Sequence, residues 1–193
     1  MWILTGKTVK KIWLNAMIIL CVVACTGGRV HAQALYGLEY RVKAGFVYNF
    51  AKFIEWPEEN TGHDPNSILI GIIPDTPATD VFFSLEGKRI GGKRIEVKKY
   101  KTVKEKGVEN CHVLFFDSKE DVFVKESLLI VKYRSVLTVG HIKGFTQAGG
   151  IINFFTEEGR LRFEVNLDAA KHARIKLGSQ ILMSAEIITE RDK

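Results

Sequence analysis

The chain has 193 residues, 46% of them hydrophobic and 26% charged, with a formal net charge of +6. Four basic residues (Lys7, Lys10, Lys11 and Arg29) fall in the first 34 positions, which hold no acidic residue, so residues 35–193 carry 24 basic against 22 acidic side chains. A net +2 over those 159 residues gives no ground for nucleic-acid binding, and the length suffices for one domain with a real core.

The first 34 residues read as an export signal. Lys7, Lys10 and Lys11 form a basic start, and Ile12 to Cys25 is apolar apart from Asn15. That run is shorter than the roughly 20 residues needed to span a bilayer, and Ala32-Gln33-Ala34 fits a small-residue cleavage site. The expectation is a signal peptide over 1–34, cleavage after Ala34, and one α/β domain over 35–193 working outside the cytoplasm. Val22-Val23-Ala24-Cys25 also resembles a lipobox, which would make Cys25 a lipidated first residue, and the two leader types stay open here. Cys21 and Cys25 belong to this leader, so Cys111 stands alone afterwards and no internal disulfide can form.

Leu38 to Glu55 reads as a helix, with Val42, Phe46, Phe50 and Phe53 at helical spacing and Val47 and Ile54 widening the stripe. Its polar side holds Arg41, Gly45, Tyr48, Lys52 and Glu55, and Pro57 ends it. Ile68 to Ile73 is a continuous apolar run, the pattern of a strand buried on both faces. A short helix follows near Pro77 to Leu85, and Gly91-Gly92 turns the chain into a strand over Arg94 to Tyr100. A polar turn lies near Thr102 to Gly107, a strand over His112 to Phe116, and a helix over Glu120 to Val131 that Asp117-Ser118 can cap. Ser135 to Val139 reads as a further strand. Gly150 to Thr156 and Arg160 to Asn166 form a hairpin, the second strand alternating Leu161, Phe163 and Val165 with polar residues. Asn166 or Asp168 can cap a short helix through Arg174, and Ser179 a last one to about Ile188. The expected architecture is a single-domain layered α/β sandwich: a mixed, mostly parallel sheet flanked by helices, closed by a C-terminal antiparallel hairpin.

Catalytic chemistry finds little support. His63, His112, His141 and His172 lack metal-site spacing, and no serine elbow, P-loop or dinucleotide motif occurs, so no metal or cofactor is expected. Cys111 opens an apolar run and reads as a buried thiol, and His112 as a core histidine. What remains is surface suited to binding. Lys52 lies on the polar side of the first helix, and Trp56 follows it. Arg160 and Arg162 on the hairpin could hold a carboxylate or phosphate in a fork, or pair with acidic neighbours across the strands. Asn153 interrupts an apolar strand, as a polar point in a pocket or as a link between strands.

Two stretches carry a resemblance. Residues 42–57, VKAGFVYNFAKFIEWP, and 149–168, GGIINFFTEEGRLRFEVNLD, resemble the opening helix and terminal hairpin of the YfiR family. Asn49, Lys52, Trp56, Asn153, Arg162 and Asn166 match its recurring polar and aromatic positions. The resemblance implies a periplasmic repressor with no catalytic activity that restrains an inner-membrane diguanylate cyclase. It further implies a tendency to dimerise and sequestration by an outer-membrane lipoprotein. Characterised members are similar in being stabilised or redox-tuned by disulfides, a route closed to a chain with Cys111 alone. The alternative reading is a periplasmic small-ligand sensor or binding protein partnering a sensor kinase or other membrane receptor.

Overall fold

The structure is a computed structural model that describes residues 37–57, 64–74, 76–118 and 120–189. The leader over 1–34, with Cys25 and the cleavage site, lies outside the described residues, as does His63. Among the described residues no helix is long and apolar enough to cross a membrane.

The first helix, α1, covers residues 37–52 and is followed by a two-residue strand, β1 (Ile54–Glu55). The sequence pattern predicts helix through Glu55. The chain instead bends at Phe53, because Ile54 and Glu55 pair antiparallel with Leu177 and Lys176 of β9 (Lys176–Leu177). The buried stripe of α1 is also rotated from the predicted one. Tyr40, Lys43, Ala44, Val47, Phe50 and Ala51 face inward, while Val42 is exposed. Hydropathy counts Lys43 as a surface residue, and its burial shifts the whole face. Phe46 stays half-buried against the rings of Phe50, Phe154 and Phe163.

Eight further strands form one sheet: β2 (Ser67–Ile73), β3 (Arg89–Ile90), β4 (Lys93–Lys99), β5 (Val113–Phe116), β6 (Leu137–Gly140), β7 (Ile152–Glu157), β8 (Arg160–Asn166) and β10 (Glu186–Ile188). Their order is β10-β8-β7-β6-β5-β2-β4-β3. Pairing is parallel throughout except in the β3–β4 and β7–β8 hairpins. All seven residues of β2 are buried, as the uninterrupted apolar run predicts. Alternation divides them: Ile68, Ile70 and Ile72 join one core with α1, and Leu69 and Ile73 join the other with α2 (Asp121–Val131). Each fully buried isoleucine or phenylalanine stabilises the fold by about 1.5–3 kcal/mol.

A 3-10 helix over Pro77–Leu85 and α3 (Leu167–His172) add to the α1 side. The predicted last helix is cut short. α4 (Ser179–Leu182) is a single turn capped at Gly178, and Glu186–Ile188 instead adds a parallel edge strand to β8, whose backbone groups would otherwise be unpaired on that side. Two glycines are fixed by packing. A Cβ at Gly71 would stand 2.7 Å from the Cys111 Sγ and from a Leu114 methyl, and one at Gly150 only 2.1 Å from the Phe145 ring.

Candidate functional site

Strands β4-β2-β5-β6-β7 follow the order 2-1-3-4-5 of a doubly wound sheet, whose switch point lies between its first and third strands. In such sheets ligands bind beyond the carboxyl ends of the strands at that point. Here the switch falls between β2 and β5, and three polar residues follow the adjacent strand ends: Thr76 after β2, Asp117 after β5 and His141 after β6.

These residues meet two side chains from the start of α1. Asp117 Oδ1 accepts a hydrogen bond from the Tyr40 hydroxyl, and Oδ2 accepts one from Thr76 Oγ1. His141 Nε2 stands 3.1 Å from Oδ1, within ion-pair distance but without the alignment of a hydrogen bond. On the other side of the imidazole, Lys43 Nζ lies 3.0 Å from Nδ1 and 4.7 Å from the centre of the Tyr40 ring. An ammonium only donates, so Nδ1 accepts. Lys43 is 1% exposed and the Asp117 side chain 4%, so cation and anion are both withdrawn from water with His141 between them. Burial alone would raise the Asp117 carboxyl; the contact with His141 and the hydroxyls of Thr76 and Tyr40 outweigh it and hold the group below its usual range. The switch point is thus occupied by the protein's own charges, which tie α1 to three strand ends.

Sequence reasoning missed this network. Asp117 is predicted as a helix cap, yet its side chain joins the network, Ser118 Oγ accepts from Glu120 N–H, and α2 starts at Asp121 without a side-chain cap. The available signal was a polar residue directly after each of two apolar strands.

The residues that sequence reasoning singled out are dispersed. Asn49 and Lys52 lie exposed on α1, Lys52 Nζ 5.2 Å from the Phe53 ring centre. Trp56 is half-buried, edge-on to His112 at 5.4 Å, and its indole N–H has no acceptor among the described residues. His112 is buried, and its Nδ1 accepts from Leu69 N–H at 3.1 Å, the satisfied core histidine that was predicted. Asn153 is buried opposite Glu164, whose carboxylate gathers the Asn153 amide at 3.1 Å and the Thr146 hydroxyl at 2.6 Å. Asn166 caps α3 through Oδ1, accepting from Ala169 N–H at 2.9 Å, and donates to the Thr146 carbonyl at 2.8 Å. Arg160 and Arg162 are exposed on β8, Arg162 in an ion pair with Glu157. Cys111 is buried and free, and burial pushes its thiol up to about 12. Among the described residues no group of histidine, cysteine and carboxylate side chains could hold a metal.

Fold and site together define a doubly wound α/β domain whose switch point is closed by an internal ionic network. The chain belongs to the YfiR/HmsC-like family, whose model matches residues 40–186. Characterised proteins of that family are periplasmic regulators of cyclic-di-GMP signalling rather than enzymes. Among solved structures, a conserved domain protein from Vibrio cholerae O1 biovar El Tor strain N16961 is similar at 11% identity with a TM-score of 0.49. The match covers 76% of this chain and 60% of that one, so the chain spans less than two thirds of that protein's length. No curated protein matches the chain significantly.

Proposed function

We propose that the protein is exported, with the domain beginning after Ala34, and represses a membrane-embedded signalling protein, foremost a diguanylate cyclase, by direct contact in the periplasm. Family membership supports this reading, and the observation that carries the contact is α2. Val124, Leu128 and Val131 bury one face of that helix. Val122 and Leu129, each 69% exposed, and Tyr133 just past its end, also 69%, project from the opposite face. A helix that is apolar on two opposite faces has more apolar surface than its own core can cover, which is how a partner-binding element reads. Arg160, Arg162, Lys52 and Asn49 offer polar contacts elsewhere on the surface, and sequestration by an outer-membrane lipoprotein or pairing with a second copy would use the same exposed faces.

The test is co-purification of the exported protein with membrane proteins, alongside cyclic-di-GMP measured in a clean deletion. Val122→Asp with Leu129→Asp should lose both the partner and repression while the circular-dichroism melt is retained. A deletion that leaves cyclic-di-GMP and its outputs unchanged refutes the cyclase reading.

A further inference from the structure

Charge is unevenly placed on this domain. Residues 88–106 hold nine basic and two acidic side chains, which leaves 15 basic against 20 acidic in the rest of residues 35–193. A net +7 is therefore concentrated in β3, β4 and the turn after them, at one edge of the sheet, while the remainder carries −5. Strand alternation sorts these charges by face. Ile95 and Val97 point into the α1 core, so Arg94, Glu96 and Lys98 point to the α2 side, and Arg89 joins them as the register partner of Arg94. The segment after β4 packs on that same side through Tyr100, Val103 and Val108, with Lys101, Lys104 and Lys106 exposed. The other three cations do not belong to this face: Lys93 shares the α1 side with Ile95, Lys99 pairs with Asp80 at 2.6 Å, and Lys88 lies 5.9 Å from the Tyr48 ring centre.

The six cations on the α2 side form no ion pair among the described residues. The carboxylates of the turn serve backbone amides instead, Glu105 accepting from Lys101 and Thr102 N–H and Glu109 from Gly107 N–H. Glu96 stands between Arg94 and Lys98 and pairs with neither. Arg89 donates to the Gly92 carbonyl at 2.7 Å, yet it faces Arg94 directly across the strands, a like-charge arrangement that repels until an anion screens it. Arg94 to Lys98 spans about 13 Å of strand, and the lysines of the turn continue the array, so the charges suit an extended anionic surface better than one small anion. We propose that this face rests on an anionic phospholipid bilayer. It lies on the same side of the sheet as α2, so attachment turns Val122, Leu129 and Tyr133 toward a membrane-embedded partner. The inference rests on the exported placement proposed above but needs no cyclase, and a test with lipid alone separates the two.

That test is flotation of the exported protein with vesicles of phosphatidylcholine, with and without about 30% phosphatidylglycerol. A lipid anchor at Cys25 would bind both alike, so the excess on anionic vesicles is what is scored. The excess should fall at least about tenfold when salt is raised from about 0.05 M to about 0.5 M, as screening shortens the reach of each charge. Each cation near an anionic leaflet adds roughly fivefold in affinity, so Arg94→Gln/Lys98→Gln/Lys101→Gln should lose roughly a hundredfold with its melt retained. Should that variant melt early, Lys101→Gln/Lys104→Gln in the turn should lose roughly 25-fold. Arg41→Gln/Arg160→Gln/Lys171→Gln removes the same charge from exposed positions elsewhere and should stay within about twofold of wild type. No excess on anionic vesicles, retention on immobilised heparin without it, or an equal loss in the two triple variants would overturn the proposal.

Discussion

Removing the Asp117 carboxylate tests whether the switch-point network holds the fold. Asp117 is the anion that balances Lys43 across His141, and Lys43 is 1% exposed. Asp117→Ala therefore removes the buried anion beside His141 and takes one acceptor each from the Tyr40 and Thr76 hydroxyls. Breaking one side of a buried pair costs about 3–5 kcal/mol, a large share of the roughly 5–15 kcal/mol that holds a domain. Asp117→Asn keeps one acceptor oxygen and should cost about 2 kcal/mol. Lys43→Met removes the cation at similar volume, so the double variant Lys43→Met/Asp117→Ala should be less destabilised than the sum of the singles by at least about 1 kcal/mol. Urea unfolding at pH 7, with m-values compared, measures all four corners of the cycle. The pH dependence has a fixed sign. The folded carboxyl sits below its unfolded value, so its contribution is complete above the ordinary carboxylate range near 3.9 and is lost as pH falls through the lower folded value. The gap between wild type and Asp117→Asn should accordingly narrow from pH 6 to pH 3. Additivity within about 0.5 kcal/mol, or a cost below about 1 kcal/mol for Asp117→Ala at pH 7, would refute this account of the network.

Three further outcomes can be checked. Cys111, buried with its thiol held up near 12, should resist a disulfide reagent at pH 8 in the folded protein and react once denaturant is added; labelling of the native form would show the site open. Gly71→Ala, which forces a Cβ to 2.7 Å from Cys111 Sγ, should cost about 1–3 kcal/mol by thermal unfolding. Asn166→Ala should cost about 1–2 kcal/mol by losing a helix cap and the tie to the Thr146 carbonyl, while Arg162→Ala, whose ion pair is half-exposed, should cost under about 0.5 kcal/mol; reversed magnitudes would make the hairpin arginine the structural residue.

Sequence by itself determined the layered class and most of the sheet. Ile68 to Ile73 reads as a doubly buried strand because nothing polar interrupts it, and the structure buries all of β2. The closing hairpin was legible because Glu158-Gly159 supplies a tight turn between alternating strands, and both residues take left-handed backbone. Hydropathy also carried His112 and Cys111 into the core. The family resemblance rested on the first helix and this hairpin, two segments whose local pattern survives in the fold.

Tertiary structure alone decided where the charges went. Lys43 looks like a surface residue until α1 is laid over the strand ends, where His141 and Asp117, 98 and 74 positions away in the sequence, make its burial tolerable. Tyr40, one turn before Lys43 on α1, and Thr76, beyond the end of β2, reach the same carboxylate, and no local spacing encodes such a meeting. The ends of α1 and α4 were misjudged for the same reason. Ile54–Glu55 and Glu186–Ile188 have ambiguous local preference, and each became strand because a neighbouring strand offered unpaired backbone groups.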